Sequence, residues 1–396
     1  MLISLKKIWG YLCFVLQAKK IWVWPREREV VIYDAASSKI LLEYLKPWNP
    51  ETLYVRSEQI NMRVLLKSFF KKGRMVDAYI DSFIEKVNPR LVLTTIDNSI
   101  IFYRISPRHP DIKTLFLQNG IRGFYLDVFE YLDNLDSNTL NTFFVDHMLV
   151  FGSVIGKHYS RYVKGNIHPI GSIKNNFVQK EKSPQPGVIA LISHWSPYPR
   201  QYSGVKIKNN CISNDALFRY PDQVEIQLLA QYAKEKNKRI VVLPRLKGKF
   251  EQEKEYFTKL MGCEPEFIFL PGLFPNYKAV DSAEIIVSLD STLGYESISR
   301  GNKTAIFSFR GTLNDIIGRD YGWPADYPDE GPFWTNKPDP DIFIRILDYL
   351  FGVSDDQWKK DVEATNFSSI MEYDPGNTIF QSILEKELGL PPTSTH

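Results

Sequence analysis

Three cysteines in 396 residues (Cys13, Cys211, Cys263) are too few and too widely spaced for a disulfide framework or a zinc signature, and they point to a reducing compartment. Charge of either sign is in short excess. A net +3 is too small for nucleic acid to be the main partner. The chain has no P-loop, no GxGxxG, no HExxH and no nucleophile-elbow serine. Those absences argue against ATPases, dehydrogenases, zinc proteases and α/β-hydrolases. No DxD-type pair stands where a metal would need it. Asp339 with Asp341, and Asp355-Asp356, begin helices, where acidic residues are expected anyway, so no metal and no cofactor is expected. Long apolar runs are missing too. Ile8 to Leu16 falls far short of the roughly 20 residues that a spanning helix needs.

What is present is ordinary for a globular chain: 44% hydrophobic and 24% charged residues, at a length that suits two domains. Aromatics reach 14%, most of them accounted for by core filling. Residues 1–25 stand apart. Leu5, Ile8, Trp9, Leu12, Val15 and Leu16 share one helical face, flanked by Lys6, Lys7, Lys19 and Lys20, with Trp22 and Trp24 following. The pattern suits a helix lying on an anionic membrane surface; a helix packed on the protein's own body is the alternative. No small-residue cleavage site follows, so no removable signal peptide is expected.

From Val30 apolar strands alternate with amphipathic helices. Six strands are predicted in the first half: Val30 to Asp34, Thr52 to Arg56, Leu91 to Ile96, Thr114 to Leu117, Met148 to Phe151 and Ile167 to Ile170. Five follow in the second: Val188 to Ser193, Arg239 to Leu243, Phe267 to Leu270, Ile285 to Leu289 and Thr304 to Phe309. Such a pattern implies α/β domains with parallel sheets covered on both faces. The charged, proline-rich stretch 180–187 reads as a linker between domains at 26–179 and 188–370, with a helix and tail at 371–396.

Ligands of doubly wound sheets bind beyond the C-terminal ends of the strands. In the second half that rule selects His194, Arg245 with Lys247 and Lys249, Pro271-Gly272, and Asp290 to Glu296. In the first it selects Asp34, Arg56 with Glu58, Asp97-Asn98, and Gln118-Asn119-Gly120 with Arg122. The stretch 284–301, EIIVSLDSTLGYESISRG, reads as a buried strand, a polar turn and a short helix stopped by Gly301. A helix N-terminus at that turn favours phosphate. With Thr292 as N-cap, Glu296 lies one residue past the capping-box position, and its carboxylate is left to accept from the hydroxyls of a ribose. Arg245 and Lys247 would neutralise phosphate, Ser291 and Thr292 would add donors, and His194 would donate to phosphate or stand beside a base. A plain capped turn and a solvated basic loop are the competing explanations.

Ser291-Thr292 followed by Glu296, then a helix ending in Arg300-Gly301 and a further strand, resemble the donor-nucleotide segment of GT-B glycosyltransferases. With GWPADYPDEGPFWTN at 322–336 and LFLQNGIRG at 115–123, the chain resembles a bacterial family of surface carbohydrate biosynthesis proteins. Some relatives transfer nonulosonic acids of the pseudaminic, sialic or Kdo type. The similarity runs from about Val30 to about Trp358. It implies a GT-B fold: two Rossmann-like doubly wound domains facing across a cleft, with a C-terminal helix returning to the first. The implied function is transfer of a sugar, a nonulosonic acid from a CMP-activated donor, onto a capsule or O-antigen glycan. The acceptor would be an oligosaccharide or lipid-linked glycan, and the setting the cytoplasmic, peripheral face of the inner membrane.

Donor binding would then fall to His194, Arg245, Lys247, Asp290, Ser291, Thr292 and Glu296. Asn98, Gln118, Asn119 and Arg122 would meet the acceptor. Transfer needs a base or a nucleophile, for which Asp97 ranks ahead of Glu58, Asp34 and Asp127, each of which equally suits a helix cap. The segment Gly331 to Asn336 is expected to plug the gap between the second sheet and its last helices. Two alternatives stand beside this reading: a GT-B enzyme with a UDP-sugar or CDP-polyol substrate, epimerases included, and a non-catalytic polysaccharide-assembly scaffold.

Overall fold

The structure, a computed structural model, describes residues 17–56, 58–125, 127–180, 184–196, 205–207, 210–213, 215–245, 247–316 and 318–390. Strands β1 (Val30–Tyr33), β2 (Glu51–Leu53), β3 (Leu91–Thr94), β4 (Lys113–Leu117), β5 (Phe144–Val150) and β6 (Lys164–Pro169) make the first sheet, in the order β2-β1-β3-β4-β5-β6. Strands β7 (Gln185–Ile192), β8 (Arg239–Leu243), β9 (Glu266–Phe267), β10 (Ala283–Ser288), β11 (Thr304–Phe307) and β12 (Trp334–Thr335) make the second, in the order β9-β8-β7-β10-β11-β12. Every pairing in both sheets is parallel. Strands such as Val30–Tyr33, buried at every position, need cover on both faces, which the intervening helices supply. The strand order reverses between β7 and β10 in the second sheet and between β1 and β3 in the first. These switch points are where a doubly wound sheet opens a crevice. This is the GT-B arrangement expected from the sequence.

Helices that bear on the argument are α1 (Lys39–Leu45), α2 (Met62–Ser68), α3 (Met75–Val87), α4 (Ile173–Phe177), α5 (Tyr220–Glu235), α6 (Phe250–Met261), α7 (Thr292–Ser299), α8 (Pro340–Gly352), α9 (Asp355–Ala364) and α10 (Thr378–Leu388). The last lays Phe380, Ile383, Leu384 and Leu388, one face at helical spacing, into the core beneath β1 and β3 of the first domain. Arg90 fastens its end, donating to the carbonyls of Glu387 and Leu388 at 2.6 and 2.8 Å. The chain therefore closes on its first domain.

Several boundaries differ from the sequence reading. Residues 1–16, on which the expected amphipathic helix falls, lie outside the described residues, and Lys19–Ile21, whose lysines are expected to flank it, is a short strand paired in parallel with Gln59–Asn61. Gln185 to Gly187 of the expected linker already belong to β7, while 181–183 lie outside the described residues. Asp34, placed by sequence at a strand end, turns out of the strand at φ +71°. The GPFWTN segment supplies the edge strand β12, too short for any periodicity to announce. Its aromatics take the expected wedge role: Trp334 stacks on Tyr321 at 4.4 Å and Phe333 meets Trp358 at 5.1 Å. No helix among the described residues is long and apolar enough to cross a membrane.

Candidate functional site

A cavity of about 620 Å³ opens at the switch point of the second sheet. Its walls come from strand ends: Ser193 to Trp195 after β7, Arg245 after β8, Asp290 to Leu293 after β10, and Arg310 beyond β11. Asp222 on α5 and Tyr256 on α6 close one side. The volume falls within the roughly 300–1,000 Å³ typical of small-molecule sites.

The turn ahead of α7 forms as sequence predicts, with one shift. Ser291 rather than Thr292 is the N-cap: its backbone is extended (φ −73°, ψ 141°) and its hydroxyl accepts from Leu293 N–H. Gly301, at φ +81°, ends the helix where a side chain would resist the left-handed backbone. The positive end of α7 thus borders the cavity. Thr292, freed from capping, accepts the backbone N–H of Ile121 through Oγ1 at 3.0 Å, so the turn also grips the first domain.

A buried charge cluster backs the cavity. The Arg310 guanidinium donates to Asp222 Oδ1 at 3.1 Å, and its Nε lies 3.5 Å from Asp290 Oδ2. Burial opposes ionisation of Asp290, yet Arg310 and then His194 outweigh it and hold its pKa below the usual range. Asp222 and Glu225 go the other way. Burial, only partly offset by Arg310, lifts Asp222 to about 7, and burial pushes Glu225 well above the ordinary value. Near neutrality part of Asp222 therefore holds a proton, and burial biases Glu225 toward its neutral form, which strengthens the guanidiniums' share of the local field. His194 is driven down to about 4, first by burial, so its imidazole is neutral at pH 7. Its Nδ1 is 3.5 Å from Asp290 Oδ1, and its Nε2 has no partner among the described residues. Arg245 donates to the His194 carbonyl at 3.0 Å, fixing that loop beside the cavity. Two arginines, a helix N-terminus and a neutral imidazole together make an anion site.

A smaller cavity of about 260 Å³ adjoins it and shares Phe218, Asp290 and Arg310. Both domains line it: Ile121 and Arg122 from the first, Arg319, Asp320 and Trp323 from the second. The two loops are tied by Phe124 N–H to the Gly318 carbonyl (3.2 Å) and Arg319 to the Tyr125 carbonyl (3.2 Å). Asp320 is half-buried there, its pKa raised by burial and then by Asp329.

Not every expected residue reaches these cavities. His194, Arg245, Asp290, Ser291 and Thr292 converge on the larger one. The side chain of Lys247 lies outside the described residues. Glu296, assigned to a ribose, is buried at 5% exposure and turned from the cavity; it is hydrogen-bonded to Ser172 and Tyr277 with Lys174 nearby. One turn along α7 from Thr292, it shares the face that packs on the first domain.

The carboxylates expected to be catalytic are also redirected. Asp97 is fully buried, with Arg122 on both oxygens, Tyr159 hydroxyl on Oδ2 at 2.7 Å and Asn119 N–H on Oδ1 at 3.2 Å. With donors on both oxygens it anchors the 118–122 loop. Asp34 accepts from Ala36 N–H and pairs with Arg56. Glu58 is exposed, caps the Arg56 N–H and lines neither cavity. Asp127 does cap a helix, accepting from Val128 N–H. Of the acceptor candidates only Arg122 lines the junction cavity. Gln118 is locked between the Gly120 carbonyl and Phe151 N–H, Asn119 accepts from Lys174 at 2.7 Å, and Asn98 is exposed.

Arg310, Asp222, Glu225 and Asp320 were not anticipated. Arg310 follows β11 in the run FSFR, a strand-end position that the sequence makes visible. The acids of α5 carry no such signal: Asp222, in the first helical turn, looks like a partner of the helix dipole, and Glu225, a turn later, looks like any polar helix position.

A family described as "putative O-antigen biosynthesis protein" matches residues 115–388. A search of curated proteins gives no match. Similar solved structures include a glycosyltransferase from Rickettsia africae, 10% identical over 91% of this chain and 99% of that one, with a TM-score of 0.49. A UDP-GlcNAc 2-epimerase from Neisseria meningitidis bound to UDP-GlcNAc is 11% identical over 90% of this chain and 91% of that one, TM-score 0.49. HepE from Anabaena, in complex with UDP and glucose, is 12% identical over 92% of this chain and 100% of that one, TM-score 0.46.

Proposed function

This chain belongs to the O-antigen biosynthesis family that matches it over residues 115–388, and from that premise we propose that it is a glycosyltransferase acting on a bacterial surface polysaccharide. The observation that carries the reading is the convergence of Arg245, Arg310, His194 and the N-terminus of α7 on one cavity at a sheet's switch point. A nucleotide's phosphate seated there meets fixed positive charge. When the bond from the sugar's anomeric carbon to the phosphate oxygen breaks, the electron pair stays on that oxygen, and the charge it gains is met by groups already in place.

The acceptor hydroxyl approaches from the junction with the first domain. We assign Asp320 as the base that takes its proton while the hydroxyl oxygen bonds to the anomeric carbon. It is a half-buried carboxylate in the space that adjoins the donor cavity, and burial raises its pKa toward the value a base needs at neutral pH. The donor we propose is a CMP-linked nonulosonic acid.

Calorimetry with CMP, CDP, UDP and GDP tests the reading. CMP is expected to bind most tightly, and Arg245→Ala to weaken it about tenfold to a hundredfold, the loss of one charged hydrogen-bonding partner. Asp320→Asn is expected to leave binding intact and to slow transfer about 10²- to 10⁴-fold. Preference for UDP or GDP would replace the donor; no nucleotide binding at all would remove the enzyme reading.

A further inference from the structure

Among the described residues three line both cavities: Phe218, Asp290 and Arg310. With a phosphate in the larger cavity and the acceptor hydroxyl entering through the smaller, the anomeric carbon that passes between them lies where the two spaces meet. Asp290 is the acid at that boundary, and it is not held as the other buried acids are. Asp97 and Asp281 are each gripped by an arginine, at 2.8 and 2.6 Å. Around Asp290 the cations stand off. Arg310 Nε and His194 Nδ1 lie 3.5 Å from its two oxygens, one each, and no closer donor reaches either oxygen among the described residues. Charge-assisted hydrogen bonds are normally about 2.7–2.9 Å, so both oxygens keep the capacity to face a ligand. The surrounding cations nevertheless keep the carboxyl ionised. A carboxylate in a cavity that receives phosphate weakens phosphate binding by like-charge repulsion. Its presence there calls for positive charge on some other part of the ligand.

We propose that Asp290 is a further catalytic residue, one that faces the sugar ring and stabilises the positive charge the ring gains during transfer. This rests on the transferase reading but not on which base the donor carries. As the bond from the anomeric carbon to the phosphate oxygen breaks, the electron pair leaves with the phosphate. The carbon and the ring oxygen are left sharing a positive charge. Arg245, Arg310 and the N-terminus of α7 meet the negative charge that departs; Asp290 meets the positive charge left behind. The acceptor oxygen then bonds to the carbon and its proton passes to Asp320. Asp290 ends as it began, ionised and with no bond formed. It thus weakens binding of the ground-state nucleotide and strengthens binding of the transition state, the difference on which rate depends.

The test compares the full chain with Asp290→Asn, which keeps the shape and removes the charge, and with Asp290→Glu, which keeps the charge; thermal melts verify that each folds. Calorimetry with CMP, or with whichever nucleotide the unaltered chain selects, should show Asp290→Asn binding it about threefold more tightly. With the nucleotide bound, 1-deoxynojirimycin, a sugar-shaped cation, should bind the unaltered chain and bind Asp290→Asn about tenfold more weakly, while uncharged glucose distinguishes the two by nothing. Release of the nucleotide from the matching sugar nucleotide, CMP-N-acetylneuraminic acid for CMP, should slow about 10²- to 10³-fold in Asp290→Asn and recover in part in Asp290→Glu. A folded Asp290→Asn that releases nucleotide at the unaltered rate would overturn the proposal, as would one that binds the nucleotide more weakly, which would make Asp290 a nucleotide ligand. A sugar covalently attached to Asp290 in mass spectrometry would overturn it too, by making the residue a nucleophile. No nucleotide binding by the unaltered chain would instead remove the transferase reading, and this inference with it.

Discussion

His194 and Asp222 face the same arginine-lined cavity with opposite protonation preferences. The folded-state pKa of His194 lies near 4, below its ordinary 6.5. Between those values the unfolded chain binds a proton that the folded chain refuses, so this residue costs stability as pH falls from 6.5 to 4. Asp222 behaves inversely, with a folded pKa of about 7 against 3.8. There the folded chain holds the proton, so stability is lost as pH rises from 3.8 to 7. The two slopes oppose each other over much of the same window. His194→Gln is therefore expected to make the protein melt progressively lower from pH 4 to 7, and Asp222→Asn to make it melt lower as pH falls from 6.5; melts across that range measure both. Sequence named His194 by its strand-end position. It could not name Asp222, because the feature that matters is the fold around α5, which removes water from an acid and sets it against Arg310.

At the scale of elements, the helix α7 owes its position to one missing side chain. A Cβ on Gly294 would stand 2.7 Å from the Ser288 Cβ and 2.9 Å from Ile306 Cδ1, atoms of β10 and β11. Gly294→Val is therefore expected to lift the helix off the sheet, costing about 1–3 kcal/mol by overpacking. Because the N-terminus that borders the cavity moves with it, nucleotide affinity should fall as well; denaturant titration and calorimetry read the two effects. Strand–turn–helix was legible here from a β-branched run, small polar residues and a glycine stop. The direction of Glu296 was not. Spacing puts Glu296 one turn from Thr292, but only the packing of the second domain's Tyr277 and the docking of the first domain's Ser172 decide what this face meets. The 118–122 loop makes the same point. Asp97 and Arg122 were both selected as strand-end residues, and what sequence could not give is that they pair with each other.

Across the whole molecule, α7 is also the seam between the domains. Beyond Thr292 and Glu296, Arg300 at its end reaches the Asn175 carbonyl at 3.0 Å and the Val178 carbonyl at 2.8 Å, while its other guanidinium nitrogens hold Asp281 at 2.6 and 3.2 Å. Both members of that ion pair are buried, at 0% and 1% side-chain exposure. Arg300→Ala removes one side of this buried ion pair and is expected to cost about 3–5 kcal/mol in chemical denaturation. It should also unfasten α4 from the second domain, visible as faster hydrogen exchange in 173–178. The alternation of strands and helices made the two-sheet layout readable from sequence. The seam was not readable, since it joins residues more than a hundred positions apart.

The return of α10 to the first domain has a consequence for how the protein is made. Phe380, Ile383, Leu384 and Leu388 complete an apolar layer whose other members begin at Val30. A chain synthesised from its N-terminus exposes that layer until residues 380–388 have been made, although domains generally fold as they emerge. The first domain thus stays unfinished while the whole second domain is being made. A chain truncated before Thr378 would be not a slightly shorter protein but a sticky one, suited to degradation.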